Sequence, residues 1–281
     1  MQIDGKTKIV GLLGEHIDYT LSPAMHNALF QALNLNYVYL PFPIKPYMLE
    51  KALIGLKALN IRGVNVTIPY KEEVIKYLDE LDPSSRLIGA VNTIKINDKL
   101  IGYNTDGKGF IASLKELGIS PRDKNIFLIG CGGAGRAVSL TLATTGAKRI
   151  VLTDKVMDKA ESLYNAIKRF TSTAIIDISC KTVKDYISTT DILINATSVG
   201  MKEEDPLPIP EELLHDRLFV YDLIYNPPKT KLLEHALKKG ARISNGISML
   251  VHQGAFSFEI WTGIKPPIDV MMKAVELSNL S

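Results

Sequence analysis

The sequence predicts an α/β protein of two domains, in which short apolar strands alternate with helices. Three observations lead to this prediction. The length of 281 residues suits two domains of moderate size. Apolar runs of strand length recur along the whole chain, with helical patterns between most of them. The first helical pattern opens on Ser22-Pro23, an N-cap residue followed by proline at the first helical position.

The first third of the chain contains four predicted strands and three predicted helices. The strands cover residues 8–13, 36–42, 63–68 and 90–96, and the helices cover residues 23–32, 46–59 and 69–81. Strands that are separated by helices predict parallel sheets, because a parallel crossover needs a long connection.

A second series of strands and helices begins after Pro121. Its strands start at Asn125, Arg149, Asp191 and Leu218, and its helices cover residues 134–144, 157–168 and 230–239. Two further helices are predicted over 247–261 and 267–280. The first domain is therefore predicted over residues 1–105 and the second over residues 106–246.

Composition excludes several classes of protein. A hydrophobic fraction of 46% allows a sizeable core, and a net charge of +3 with interspersed signs argues against nucleic-acid binding. Two cysteines, Cys131 and Cys180, form neither a disulfide framework nor a zinc site. No apolar run approaches the roughly 20 residues that span a bilayer, and the N-terminus lacks a signal-peptide core. The chain is expected to be a cytoplasmic protein without a metal.

The segment NIFLIGCGGAGRA matches the dinucleotide-binding pattern. An apolar strand ends at its first glycine, and further glycines precede a helix, as a tight turn and close backbone approach to a pyrophosphate require. Asp154 follows near the ~20-residue offset expected for an acid that contacts the ribose. This context favours a Rossmann-type, doubly wound domain over a glycine-rich turn without a ligand. The candidate cofactor-binding residues are Gly130, Gly132, Gly133, Ala134, Gly135 and Asp154.

Two hydroxyls lie beside the start of the first helix. Thr20 and Ser22 are separated by one residue in YTLSPAMHN, and small hydroxyls at a helix N-terminus suit a substrate carboxylate. Capping alone remains an alternative for Ser22. His26, one turn along this helix, is expected to be a packing or capping residue.

Proton-exchanging groups follow two later strands. Lys71, in NVTIPYK, is placed in a first helical turn, where the helix dipole disfavours a cation. A lysine of lowered pKa can exchange the proton of an alcohol, and a carboxylate such as Asp106 can hold or relay it. The alternatives are an ion pair of Lys71 with Glu72 or Glu73, and a capping role for Asp106.

Taken together, these segments resemble the shikimate dehydrogenase family. The resemblance runs in order through LSPAMHN, NVTIPYK, GAVNT with NTDG, GCGGAGRA, NATSVGM, YDLIYNPPKTKLLEHA and NGISMLVHQGAFSFEIWTG. It implies a substrate-binding catalytic domain formed by residues 1–105, to which residues 247–281 return, and an NAD(P)-binding Rossmann domain over 106–246. It also implies reversible NADPH-linked reduction of 3-dehydroshikimate to shikimate in aromatic amino-acid biosynthesis.

The resemblance further implies roles for individual residues. Lys71 and Asp106 would form the catalytic pair, and Thr20 and Ser22 would hold the substrate carboxylate. The remaining substrate contacts would be Thr67, Asn92, Tyr225 and Gln253. Gly246 would lie near the nicotinamide, with Leu223 beside it.

Departures from the family pattern affect substrate and cofactor choice. Thr20 replaces a serine and adds a methyl group, so quinate is an alternative substrate, and Ser248 replaces a common glycine. Asp154-Lys155-Val156 replaces Asn-Arg-Thr. A carboxylate accepts hydrogen bonds from the ribose of NAD and repels a 2′-phosphate, while Lys155 lacks the bidentate fork of arginine. NAD is therefore expected to serve at least as well as NADP. A non-catalytic relative is a further alternative, against which Lys71, Asp106 and the glycine loop argue.

Overall fold

The computed structural model describes residues 3–170, 175–178 and 183–278, so Cys180 lies outside the described residues. The chain forms two compact units. Unit 1 comprises Met1–Gly109 with Leu250–Ser281, and unit 2 comprises Phe110–Met249. The domain boundaries expected from the sequence, after residues 105 and 246, stay predictions.

The described strands and helices alternate along much of the chain. The strands are β1 (Lys8–Gly14), β2 (Tyr37–Pro43), β3 (Gly63–Val66), β4 (Glu80–Leu81), β5 (Thr93–Ile96), β6 (Leu100–Tyr103), β7 (Asn125–Ile129), β8 (Arg149–Thr153), β9 (Ile175–Ile178), β10 (Ile192–Asn195), β11 (Phe219–Asp222) and β12 (Arg242–Ser244). The helices are α1 (Ser22–Ala32), α2 (Leu49–Ala58), α3 (Pro83–Ile88), α4 (Asp106–Glu116), α5 (Gly133–Thr144), α6 (Met157–Phe170), α7 (Val183–Ile187), α8 (Lys231–Lys238), α9 (Ile247–Thr262) and α10 (Ile268–Ser278).

Unit 1 contains a mixed sheet of order β2-β1-β3-β5-β6-β4. β1 runs parallel to β2 and β3, but β5 pairs antiparallel with both β3 and β6. The expectation of a parallel sheet is therefore wrong for this unit. β5 and β6 are joined by a tight turn in which the Lys99 N–H donates to the Asn97 side chain, and only antiparallel strands accept so short a connection.

The helix predicted over residues 69–81 is also wrong. This segment forms a short 3₁₀ helix, Glu73–Tyr77, followed by β4. The carbonyl of Lys71 accepts from the Val91 N–H at 2.7 Å, and the Asp79 N–H donates to the Leu100 carbonyl at 3.0 Å. Because these backbone groups hydrogen-bond to other segments, they are not available for the hydrogen bonds of a continuous helix.

Unit 2 contains a sheet of order β12-β11-β10-β7-β8-β9, and every described pairing in it is parallel. Counted from β7, this is the doubly wound order of a Rossmann fold, which confirms the predicted fold class. Phe127, Val151, Leu193 and Val220 are buried and pack in one apolar cluster. Because these strands are parallel, the carboxyl ends of β7, β8, β10 and β11 lie at one edge of the sheet.

Helix α9 is joined to β5 by side chains that lie one turn apart. Gln253, Ser257 and Trp261 each hydrogen-bond, in that order, to residues 92, 93 and 94. A spacing of four residues places the three side chains on one helix face. Within the described residues, each helix is too short or too polar to cross a lipid bilayer.

Candidate active site

Lys71 and Asp106 form an ion pair in unit 1. The Lys71 Nζ lies 2.7 Å from the Asp106 Oδ2, and the two side chains are 18% and 5% exposed. Among the described ion pairs, Lys71 pairs with neither Glu72 nor Glu73, the alternatives considered from the sequence, and Glu73 pairs with Lys76 at 2.9 Å. Asp106 begins α4, but its carboxylate faces Lys71, so the pair offers a buried carboxylate beside a cation that solvent partly reaches.

Asn92 connects this pair to α9. Its Nδ2 donates to the Asp106 Oδ1 at 2.8 Å and to the Gln253 Oε1 at 3.1 Å. Its Oδ1 accepts from the Thr105 N–H at 2.8 Å, which orients the amide with its nitrogen toward Asp106. The structure thus brings together four of the predicted residues, Lys71, Asp106, Asn92 and Gln253.

The other predicted residues of unit 1 are Thr20, Ser22 and Thr67. The Ser22 N–H donates to the Thr20 Oγ1 at 3.3 Å, and Ser22 is 5% exposed. The predicted N-cap role of Ser22 is wrong, because Ser22 is the first helical residue and Leu21 occupies the cap without a side-chain hydrogen bond. Thr67 follows β3, where its N–H donates to the Leu13 carbonyl at 3.0 Å.

A buried polar network that the sequence analysis missed lies beside Asn92. The Tyr39 hydroxyl donates to the Asn65 Oδ1 at 2.9 Å, and the Asn65 Nδ2 donates to the Ser257 Oγ at 2.9 Å. Ser257 and Thr93 share a hydrogen bond of 2.7 Å, and Thr93 donates to the Asn92 Oδ1 at 3.0 Å. Ser257 follows Gln253 by four residues, and that spacing is the signal that would have identified it.

His26 is fully buried in this unit. Its ring stacks on Tyr39 with 4.4 Å between centroids, and neither ring nitrogen has a hydrogen-bond partner. Burial lowers its pKa to about 3. The ring is therefore neutral at physiological pH and packs as an aromatic, as expected from the sequence.

The glycine loop of unit 2 leads from β7 into α5. The first hydrogen bond of this helix runs from the Arg136 N–H to the Gly132 carbonyl at 2.8 Å, so the N–H groups of residues 133–135 have no partner within the helix. A Cβ at Gly135 would lie 1.9 Å from the Gly130 oxygen. The loop therefore requires glycine and presents free N–H groups at a helix N-terminus, which suits a pyrophosphate.

Asp154 follows β8 and contacts the glycine loop. Its Oδ2 accepts from the Cys131 N–H at 2.7 Å, and its Oδ1 accepts from the Val156 N–H at 2.9 Å. Burial, and secondarily the charge of Asp154, raises the pKa of the Cys131 thiol to about 12. Cys131 is therefore a protonated packing residue and not a nucleophile. Lys155 is exposed.

Leu223 and Gly246 lie next to each other in unit 2. The Gly246 N–H donates to the Ile224 carbonyl at 3.0 Å, and a Cβ at Gly246 would lie 2.1 Å from the Leu223 oxygen. Tyr225 also belongs to this unit. Within the described residues, no group of acidic, histidine or cysteine side chains is arranged to hold a metal ion.

Three family models match consecutive parts of the chain. The shikimate dehydrogenase substrate binding domain matches residues 12–94, shikimate / quinate 5-dehydrogenase matches residues 113–202, and the shikimate 5′-dehydrogenase C-terminal domain matches residues 246–276.

Individual proteins are similar over nearly their full length. Shikimate dehydrogenase (NADP(+)) of Methanobrevibacter smithii is 48% identical, with 97% of this chain and 98% of that protein covered. The crystal structure of shikimate dehydrogenase from Aquifex aeolicus has a TM-score of 0.90 at 39% identity, covering 98% and 99% of the two chains. That of shikimate 5-dehydrogenase from Listeria monocytogenes in complex with shikimate and NAD has a TM-score of 0.88 at 37% identity, covering 97% and 98%.

Proposed function

The chain belongs to the shikimate dehydrogenase family, and we propose that it catalyses the reversible NAD(P)H-dependent reduction of 3-dehydroshikimate to shikimate in aromatic amino-acid biosynthesis. The observation that carries the proposal is the 2.7 Å contact between Lys71 and Asp106, in a cluster with Asn92 and Gln253. A single assay of nicotinamide absorbance with shikimate and either cofactor tests it. No turnover would leave the non-catalytic alternative.

Lys71 supplies the proton in this proposal. A bound nicotinamide cofactor provides the hydride for the carbonyl carbon of the substrate. The Lys71 ammonium donates a proton to the carbonyl oxygen as it becomes a hydroxyl, and takes that proton back in the reverse direction. Asp106 accepts a hydrogen bond from Lys71 and holds the ammonium in place.

The substrate is held by hydroxyl and amide groups. Thr20 and Ser22 bind the carboxylate, because their hydroxyls lie where α1 begins and the helix dipole favours an anion. Thr67, Asn92 and Gln253 bind the ring hydroxyls, and the amides can both donate and accept hydrogen bonds. Tyr225, in unit 2, stays a predicted substrate contact.

The cofactor binds to unit 2 in this proposal. The glycine loop, Gly130 to Gly135, takes the pyrophosphate, and Leu223 and Gly246 contact the nicotinamide. The glycines support this assignment, since a side chain at Gly135 or Gly246 would collide with backbone atoms. The cytoplasmic location expected from the sequence stays a prediction.

The chain uses NAD at least as well as NADP in this proposal, although its relative from Methanobrevibacter smithii is named for NADP(+). Two backbone N–H groups hold the Asp154 carboxylate at the glycine loop, and a carboxylate retains lone pairs for two ribose hydroxyls. Its charge repels a 2′-phosphate. The positive charges of Arg136 and Lys159 lie close enough to Cys131 to offset part of the rise in its pKa. Together with the charge of Lys155, they would attract a 2′-phosphate.

The ratio of kcat/KM for the two cofactors tests this assignment. A tenfold or greater preference for NADP would contradict it. Asp154→Asn should move the ratio toward NADP, whereas Asp158→Asn, an exposed acid on α6, should leave it unchanged. An unchanged ratio in Asp154→Asn would show that this carboxylate does not contact the ribose.

Quinate is a second candidate substrate. The added methyl of Thr20 alters the group that binds the carboxylate, and the family model that matches residues 113–202 covers shikimate and quinate enzymes. Steady-state rates on the two acids distinguish the candidates. A quinate rate within tenfold of the shikimate rate would assign a broader substrate range.

A further inference from the structure

Asp222 is a fully buried carboxylate with no role in the proposed reaction. It is the last residue of β11 and is 0% exposed. Its Oδ1 accepts from the Asn195 Nδ2 at 3.0 Å and from the Ile224 N–H at 3.1 Å, and its Oδ2 accepts from the Thr230 hydroxyl at 2.7 Å. Three neutral donors from three segments therefore converge on one carboxylate.

Asn195 connects Asp222 to the turn after β10. Its Oδ1 accepts from the N–H and the hydroxyl of Thr197, at 3.1 and 2.7 Å, and its Nδ2 also donates to the Val199 carbonyl at 3.1 Å. One side chain thus sets the path of residues 195–199. The backbone carbonyl of Asn195 accepts from the Leu223 N–H at 2.9 Å, which joins the turns after β10 and β11.

Ile224 connects Asp222 to Gly246. The Ile224 N–H is bonded to Asp222, and the Ile224 carbonyl accepts from the Gly246 N–H at 3.0 Å. A continuous series of hydrogen bonds therefore runs from the Asp222 carboxylate through Ile224 to Gly246. Leu223 lies inside this series, between two anchored residues.

The donor count explains why a carboxylate occupies the position. An ionised carboxylate offers about four acceptor sites on two oxygens, so it accepts all three donors. Leucine would leave all three unpaired in a buried site, which is costly. Asparagine would keep the oxygen that accepts from Asn195 and Ile224 but would place an N–H donor opposite Thr230, so the Thr230 hydroxyl would lose its acceptor.

We propose that Asp222 is a positioning residue for the nicotinamide end of the cofactor, because it fixes Leu223 and Gly246 through Asn195, Ile224 and Thr230. The inference rests on the proposed function, which assigns Leu223 and Gly246 to the nicotinamide. Asp222 itself is sealed from solvent and does not touch the cofactor. We expect its effect at the nicotinamide end, because Leu223 and Gly246 are the cofactor-binding residues that it fixes.

Thr230→Val tests the inference, since valine keeps the shape of threonine and removes its hydroxyl. We expect kcat with shikimate to fall by about tenfold or more, in line with the loss of a hydrogen bond to a charged group. NADH should bind less tightly, whereas ADP-ribose, the same molecule without nicotinamide, should bind as it does to the wild type. Thr230→Ser should restore the wild-type values.

Two further variants control the experiment. Thr190→Val removes another buried hydroxyl of unit 2, which donates to the Tyr186 carbonyl at 2.8 Å, and should leave every value unchanged. Thr230 also caps α8 through the Leu233 N–H. Asp222→Asn keeps that cap, so it should reproduce the loss even where Thr230→Val does not fold.

Each outcome decides the inference. Wild-type kcat and NADH affinity in Asp222→Asn would overturn it, and so would equal losses of NADH and ADP-ribose affinity, which indicate general loosening of unit 2. Absence of shikimate turnover in the wild type would contradict the proposed function alone. In that case, weaker binding of NADH with unchanged binding of ADP-ribose still supports the positioning role.

Discussion

Each unit buries an aspartate at the end of a strand or the start of a helix, and the two differ in their partners. Asp106 contacts the Lys71 ammonium, whose side chain is 18% exposed, whereas Asp222 accepts hydrogen bonds from neutral donors and is 0% exposed. A carboxylate beside a partly exposed lysine can hold that lysine where it exchanges a proton with a ligand. A carboxylate sealed among neutral donors holds segments of chain together. The difference distinguishes Asp106, whose carboxylate supports the reaction, from Asp222, whose carboxylate supports the structure.

The strongest test of this comparison is Lys71→Ala. It removes the proton donor, so we expect kcat to fall by about 10² to 10⁴-fold with shikimate binding largely retained. Lys76→Ala, which removes an exposed lysine paired with Glu73, should have no effect. Steady-state kinetics and equilibrium binding measure both variants. A loss in kcat below tenfold would contradict the catalytic assignment.

Asp106→Asn should have the next largest effect. The amide keeps the shape of the carboxylate but removes the anion that holds the Lys71 ammonium, so kcat should fall by about tenfold or more. A full wild-type rate would reduce Asp106 to a residue that begins α4.

Ser22→Ala should act on binding more than on chemistry. Loss of a hydroxyl that contacts the substrate carboxylate should raise the KM for shikimate by about tenfold, with a smaller change in kcat. Initial rates over a range of shikimate concentrations measure the two parameters. An unchanged KM would leave Ser22 as the first residue of α1 without a ligand.

The smallest expected effect is on the pH dependence of stability, which should differ between the wild type and Asp222→Asn. Burial raises the pKa of Asp222 from 3.8 to about 6. A raised pKa in the folded state adds stability below pH 3.8, and this contribution disappears as the pH rises through 6. Asp222→Asn lacks the contribution, so the difference in Tm between wild type and variant should change by a few degrees over this range. A constant difference would show that Asp222 titrates normally.

The sequence predicted the alternation of strands and helices well, since apolar periodicity reports burial directly. It failed where contacts between distant segments override local pattern. Residues 69–81 have a helical pattern, but their backbone bonds to Val91 and Leu100. β12, over Arg242–Ser244, was missed because three residues are too few to establish an alternating pattern.

The candidate site was predicted in part. Lys71 and Asp106 were predicted because they lie in motifs of the shikimate dehydrogenase family, and the structure brings them into contact. Ser257, whose one signal is its four-residue spacing from Gln253, and Asp222 were missed because a buried polar residue has no signature of its own in a single sequence. Its partners reveal it, and Asn65 and Ser257 are 192 residues apart.

The hydrogen bonds of Gln253, Ser257 and Trp261 to residues 92–94 have a consequence for synthesis on the ribosome. Unit 2 is continuous in sequence, whereas in unit 1 the distant helix α9 supplies Ser257, which hydrogen-bonds to the buried Asn65 and Thr93 side chains. On the ribosome, we expect unit 2 to become resistant to protease once Met249 has left the exit tunnel. Unit 1 should become resistant only later, after Trp261 has also left the tunnel. The half of the molecule that is translated first is thus completed last.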